Sequence, residues 1–162
     1  MGTVSDREAQ LDRALGYMVR RAAMTEFFLQ QTIKELIRSR YAPLVTASLP
    51  ATAALDAIQR IVDVGSFGDE APKEFRRIAD SARVAFGERN KYVHGVRIAV
   101  DDQDLLLIRN RKKGGFDGFM AEVDKLDQLG EKFRQLSGII VEWRRNYVEG
   151  KSKAAPFEIN GL

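Results

Sequence analysis

The sequence predicts an all-α protein: a four-helix bundle with a small β-hairpin or extended insert between the third and last long helices. Three observations carry this. Apolar residues recur at three- and four-residue spacings over most of the chain, one stretch after Gly95 alternates with period two instead, and the final third holds a heptad seam.

Ser5 and Glu8 have the spacing of a capping box at the head of the first helix. Leu11, Leu15, Met18, Ala22, Thr25, Leu29, Thr32 and Leu36 then form one core-facing stripe, broadened by Phe28, Ile33 and Ile37. The hydroxyls of Thr25 and Thr32 are expected to bond back to the helix backbone. The pattern ends at Arg40-Tyr41-Ala42-Pro43, because proline disfavours helix in the residue before it. A second, shorter helix is expected from Pro50 to Val64, with Ala51, Ala54, Leu55, Ile58, Ile61 and Val62 inward and Gly65 just past its end. A third runs from about Asp69 to Val93, with Pro72 in its first turn. Its apolar face is Phe75, Ile78, Ala79, Ala82, Phe86 and Val93, and the two alanines imply a close helix neighbour.

Beyond Gly95, Val96, Ile98 and Val100 alternate with Arg97 and Ala99. Asp101 to Asp104 reads as a polar turn, and Leu105 to Ile108 as a return strand. Arg109, Arg111, Lys112 and Lys113 lead into a glycine-rich loop, Gly114 to Gly118, where Asp117 is a candidate cap for the last helix. That helix carries Leu126, Leu129, Phe133, Leu136, Ile140, Trp143 and Tyr147, a seam for another helix of this chain or of a second copy.

At 162 residues the chain fits one domain, over residues 1–149, with 150–162 as a tail. The absence of cysteine excludes a disulfide framework and thiolate metal sites. A net charge of +3 permits a phosphate-bearing partner without demanding one. No uncharged run is long enough to cross a bilayer, no basic-then-apolar leader opens the sequence, and Asp6 stands where a myristoylation motif wants Ser or Thr. The expectation is a soluble, cytoplasmic protein. No phosphate-binding glycine loop, nucleophile elbow or metal-ligand cluster appears, so no cofactor and no metal are expected.

The informative stretch is Glu88-Arg89-Asn90-Lys91-Tyr92-Val93-His94-Gly95, which holds the only histidine. With Phe75 at zero on a wheel of about 100° per residue, Arg89 falls near 320°, inside the apolar arc, while Asn90 and His94 line its edge at about 60° and 100°. A guanidinium there needs a partner or a wet cleft. Patterning leaves two readings open. His94 can interact with the last helix carbonyls while Arg89 pairs with Glu26 or Glu35 of the first helix; or these groups form a site.

Arg89-Asn90, three residues, then His94-Gly95 resembles the signature of the HEPN superfamily: an arginine, four to six residues and a histidine, often with a polar residue after the arginine. The resemblance spans residues 5 to 149, although only the motif is specific. It implies a metal-independent endoribonuclease in which His94 handles protons, Arg89 stabilises charge on the scissile phosphate, and Asn90 orients His94 or the RNA. It also implies a homodimer with two motifs in one cleft, and a setting such as a toxin–antitoxin or phage-defence system with an antitoxin or other protein partner. Candidate RNA contacts are Lys91, Tyr92, Arg97, Arg109, Arg111, Lys112 and Lys113; the alternatives are core packing for Tyr92 and, the commoner meaning of such a stretch, a solvated hairpin exit for Arg109 to Lys113. The alternatives to a nuclease are a non-catalytic partner protein of the same fold that binds nucleotide, RNA or protein, and a helical assembly protein using the last seam.

Overall fold

A computed structural model describes residues 4–100, 103–110 and 114–149. They form helices α1 (Val4–Ile37), α2 (Ala42–Thr46), α3 (Ala51–Val64) and α4 (Glu70–His94), strands β1 (Val96–Val100), β2 (Gln103–Asn110) and β3 (Gly115–Met120), then α5 (Val123–Arg144) and a π-helical turn, Arg145–Glu149. The protein is mostly helical. Among the described residues no helix is long and apolar enough to cross a membrane.

The α1 stripe is the core stripe: Leu11, Met18, Ala22, Leu29, Ile33 and Leu36 are buried. The helix stops ahead of Pro43, at Arg38, whose φ of 47° is left-handed and whose N–H donates to the Lys34 carbonyl at 3.0 Å. The five residues of α2 fold back against α1, burying Ala42 and Thr46, where the sequence reading expected only a break. Gly65 stands past α3 as expected, in extended conformation (φ −85°, ψ 166°). Its glycine is needed for space, since a Cβ would lie 2.4 Å from the Phe67 ring and 2.8 Å from the Ile61 carbonyl.

The largest interface joins α1 to α5. The contacts fix its direction. Tyr17 bonds Glu131, Thr25 bonds Phe133 and Ser137, and Glu35 faces Arg144, so position rises along both helices together and the pair is parallel. At Gly130 a Cβ would come within 2.6 Å of the Tyr17 ring and 3.5 Å of the Met18 Cα, so the smallest residue sets the helix separation. Thr25 bonds back to Arg21, as Thr32 does to Phe28, matching the sequence expectation. Thr25 also meets the Phe133 carbonyl at 3.1 Å and Ser137 Oγ at 2.9 Å, so a hydroxyl in the core stripe also bonds across to α5.

Helix α4 runs against α5: Trp143 Nε1 donates to the Ala71 carbonyl at 3.1 Å, Phe75 lies tilted against Trp143 at 4.8 Å, and Phe86 meets Phe133 at 4.9 Å. The pairs Asp56–Arg83 and Asp63–Arg76 set α3 antiparallel to α4. Leu126, Leu129, Phe133, Leu136, Ile140 and Trp143 are all buried within the chain, and Tyr147 is partly buried in the π turn. The heptad seam is therefore filled internally.

Three expectations need correction. Ile37, expected to broaden the inward stripe of α1, is 38% exposed at the end of that helix. Val93 is 40% exposed, and the ring beside it, Tyr92, is buried instead. At its C-terminal end α4 packs against the sheet as well as α5, which turns the inward face towards Tyr92 and its edge-to-face contact with Phe119, at 5.3 Å. The glycine-rich stretch is likewise no simple loop. Gly115–Met120 is a third strand in an antiparallel sheet of order β1-β2-β3; Asp117 sits opposite Ile108, and α5 begins only at Val123 with Glu122 in the capping position. Glycines obscured the strand pattern, while Phe119 supplies its anchor to the core. The expected hairpin pairs as β1 with β2, Val96 opposite Leu107 and Val100 opposite Gln103. Asp101, Asp102 and residues 150–162 lie outside the described set.

If Gly130 sets the α1–α5 separation, Gly130→Leu should destabilise the fold by about 1–3 kcal/mol through overpacking, and Thr25→Val by about 1–2 kcal/mol through the lost interhelical bonds. Urea denaturation checks both; unchanged midpoints would mean the helices are spaced by other contacts.

Candidate functional site

The last two turns of α4 carry the motif to the junction of helix and sheet. His94 is the final residue of α4, Gly95 takes an extended conformation (φ −75°, ψ 142°), and β1 begins at Val96. This glycine does not use the left-handed region. It passes the chain straight from helix to strand, holding His94 at the corner. The histidine is exposed and makes no hydrogen bond or ion pair with another described side chain.

Arg89 is in a different environment. Its side chain is 21% exposed. Nη1 donates to Asn90 Oδ1 at 3.0 Å, and Nη2 lies 3.9 Å from Glu26 Oε1, an ion pair too long for a hydrogen bond. Nε is buried with no partner. An orphaned donor is unfavourable in a stable core and useful where a ligand supplies the acceptor. The two carboxylates expected to compete for Arg89 part company: Glu26 takes it, while Glu35 faces Arg144 at 3.4 Å. Nine residues apart on one helix, they sit on opposite flanks of α1, one towards α4 and the other towards α5. Burial raises the Glu35 carboxyl above its usual range against the opposing pull of Arg144.

Arg89 and His94 are not brought together within the chain. Five residues place them about 140° apart around α4, and no hydrogen bond or ion pair joins them. What the chain presents is a half-buried guanidinium with an adjoining amide on one face and an exposed imidazole on another. The guanidinium can hold an anionic oxygen and the imidazole can exchange a proton.

The remaining candidates separate. Lys91 is exposed and bonded to Glu88 at 2.6 Å. Tyr92 takes its packing alternative: the ring is buried on Phe119, and burial, opposed by Lys125, raises the phenol above its ordinary value. Arg97 and Arg109 hold backbone positions opposite Leu106 and Phe116. Arg111, Lys112 and Lys113 lie outside the described residues. Phe27, half exposed, packs edge-on to Phe28 at 5.6 Å. Among the described residues no group of three or more His, Asp or Glu could hold a metal ion. Sequence reasoning missed a cavity of about 210 Å³ beside the motif, between α1 and the end of α4, with Asp12 and Leu15 in its wall. Its only advance signal was the broad apolar stripe of α1.

A loose pair and an orphaned nitrogen contribute little to folding. Arg89→Met should therefore keep stability within about 1 kcal/mol of the parent, whereas Tyr92→Ala should cost about 3–5 kcal/mol. Thermal and urea unfolding give the ranking; the reverse order would make Arg89 a structural residue. No family model, curated protein or solved structure matches this chain.

Proposed function

We propose that the protein is a metal-independent endoribonuclease of HEPN type, acting as a homodimer that brings two copies of the motif to one cleft. The observation that carries this reading is the state of Arg89: a guanidinium set in the apolar arc of α4, steadied by Asn90 and Glu26, with one donor left unpaired. Arginine's forked donors suit the oxygens of a phosphodiester.

The chemistry needs no cofactor. A base removes the proton of an RNA 2′-hydroxyl, and that oxygen attacks the adjacent phosphorus. The new P–O2′ bond forms as the P–O5′ bond breaks. The departing 5′-oxygen takes a proton from an acid, leaving a 2′,3′-cyclic phosphate and a 5′-hydroxyl. Imidazole can serve in either role near neutral pH. Each chain has one histidine, and Arg89 and His94 face different ways, so a two-fold partner supplies the second His94 and closes the arrangement around the phosphate. Arg89 stabilises the charge that builds on the phosphoryl oxygens, and Asn90, already bonded to Arg89, sets its orientation. Exposure of His94 at the helix end suits a group that must reach RNA. A toxin–antitoxin or phage-defence setting, with a protein partner that restrains cleavage, agrees with this activity.

One observation favours a second reading, a non-catalytic partner protein of the same fold: Glu26 and Asn90 already engage Arg89. The third reading, assembly through the last heptad seam, has lost its surface, because that seam is buried within the chain.

Cleavage of mixed RNAs in EDTA, resolved on a denaturing gel, tests the proposal. Wild type should cut, while His94→Ala and Arg89→Ala should each slow cleavage by roughly 100-fold or more with folding intact. RNA left whole by wild type, or cut equally by both variants, would hand the site to the non-catalytic reading.

A further inference from the structure

We infer that the outward face of α1 is a track for single-stranded RNA that runs past the motif. The inference rests on the ribonuclease reading and deepens it by naming the form of RNA the site takes and the surface that holds it. With Arg20 at zero on a wheel of about 100° per residue, Arg13, Gly16, Ala23, Met24, Phe27 and Lys34 all fall within about 60° of it. They make one stripe, about 31 Å long at the helical rise, on the side of α1 opposite the buried Leu11, Met18 and Leu29. Arg13, Gly16, Arg20 and Ala23 are exposed, as are Met24 and Phe27, at 45% and 48%.

Charge is the first reason. Between Arg13 and Lys34 the only carboxylate is Glu26, which lies about 120° from the centre of the stripe and faces Arg89. Arg13, Arg20 and Lys34 make no side-chain hydrogen bond or ion pair among the described residues. Lys73, Arg76, Arg83 and Lys91 of α4, by contrast, each hold a carboxylate. At the α5 border of the stripe, Arg21 lies over the Tyr17 ring at 5.1 Å, with its Nε buried and unpartnered. A nucleic-acid backbone supplies a row of anions to such a row of cations.

What lies between the cations is the second reason. Phe27 offers a half-exposed ring, and an unpaired base can stack on it, whereas a duplex keeps its base faces covered. Gly16 and Ala23 let a strand come close to the helix, and a Cβ at Gly16 would meet nothing within 4 Å. A partner helix could also cover this apolar area, but cations without carboxylates favour a polyanion. Position is the third reason. Glu26, the neighbour of Phe27, reaches Arg89 from the flank of the same helix, so a strand lying on the stripe passes beside that guanidinium.

The test measures the fluorescence anisotropy of a labelled 2′-O-methyl oligonucleotide, single-stranded or paired with its complement, against the full chain over a range of salt. The methylated strand lacks the attacking hydroxyl, so binding is read without cleavage. Wild type should bind the single strand about 10-fold or more tightly than the duplex. Arg13→Gln combined with Arg20→Gln should weaken binding about 10-fold and flatten the slope of log affinity against log salt by about 1.4, the value for two phosphates lost from a single strand. Phe27→Leu, which keeps an apolar neighbour for Phe28, should weaken binding about 5-fold or more with the slope unchanged. Melting temperatures should stay at the wild-type value, since all three side chains face solvent. No binding, equal affinity for strand and duplex, or variants with wild-type affinity and slope would each overturn the track, whether or not RNA is cut. Variants that bind RNA normally but sediment differently would overturn it too, and give the face to a protein contact. The expected pattern with every cleavable RNA left whole would uphold the track and count against the nuclease reading alone.

Discussion

The parallel contact of α1 and α5 is the constraint on which the rest of the molecule depends. Two parallel helices cannot be joined by a short turn, so the chain between them must travel the length of the molecule and return. Here α2 folds back, α3 rises, α4 descends beside α5, and the small sheet turns the chain into α5. Closeness at Gly130 and the buried Thr25–Ser137 bond hold the parallel pair at a fixed distance. The motif lies near the lower end of the long descending helix, where α4 leaves the core and meets the sheet.

That placement explains the mixed character of the site. Arg89 still belongs to the inward arc of α4, which is why its Nε is buried, yet it lies far enough down to reach Glu26 on α1 rather than an aromatic partner on α5. One turn later the inward direction has shifted to Tyr92, which closes the core on Phe119 and leaves Val93 half exposed. His94 then falls at the corner, exposed. Burial thus orders the arginine and the tyrosine while leaving the imidazole open, a division of labour that follows from helix geometry and the change of neighbour at the end of α4.

Much of this was legible in the sequence where one period ran long enough to be read. The stripe from Leu11 to Leu36 and the seam from Leu126 to Trp143 marked their helices and their inward faces. The back-bonded Thr25 and the Glu26 partner of Arg89 were also foreseeable, since both follow from spacing along α1. What was not legible depended on neighbours distant in sequence. Val93 satisfies the same wheel as Phe75, but the wheel cannot know that α4 trades one neighbour for another near its end. The β3 strand was hidden because Gly114, Gly115 and Gly118 read as a loop, although Phe119 provides enough apolar contact to hold it. The Asp12 cavity required three elements to meet, and no local pattern encodes such a meeting.

The central claim is that one chain holds half of a site: a single histidine, and an arginine that faces another way. Sedimentation analysis of the full chain, at the concentration where RNA is cut, tests this most directly. The account predicts a dimer as the active species, with cleavage falling as dilution separates the chains. A monomer that cuts RNA at full rate would contradict it.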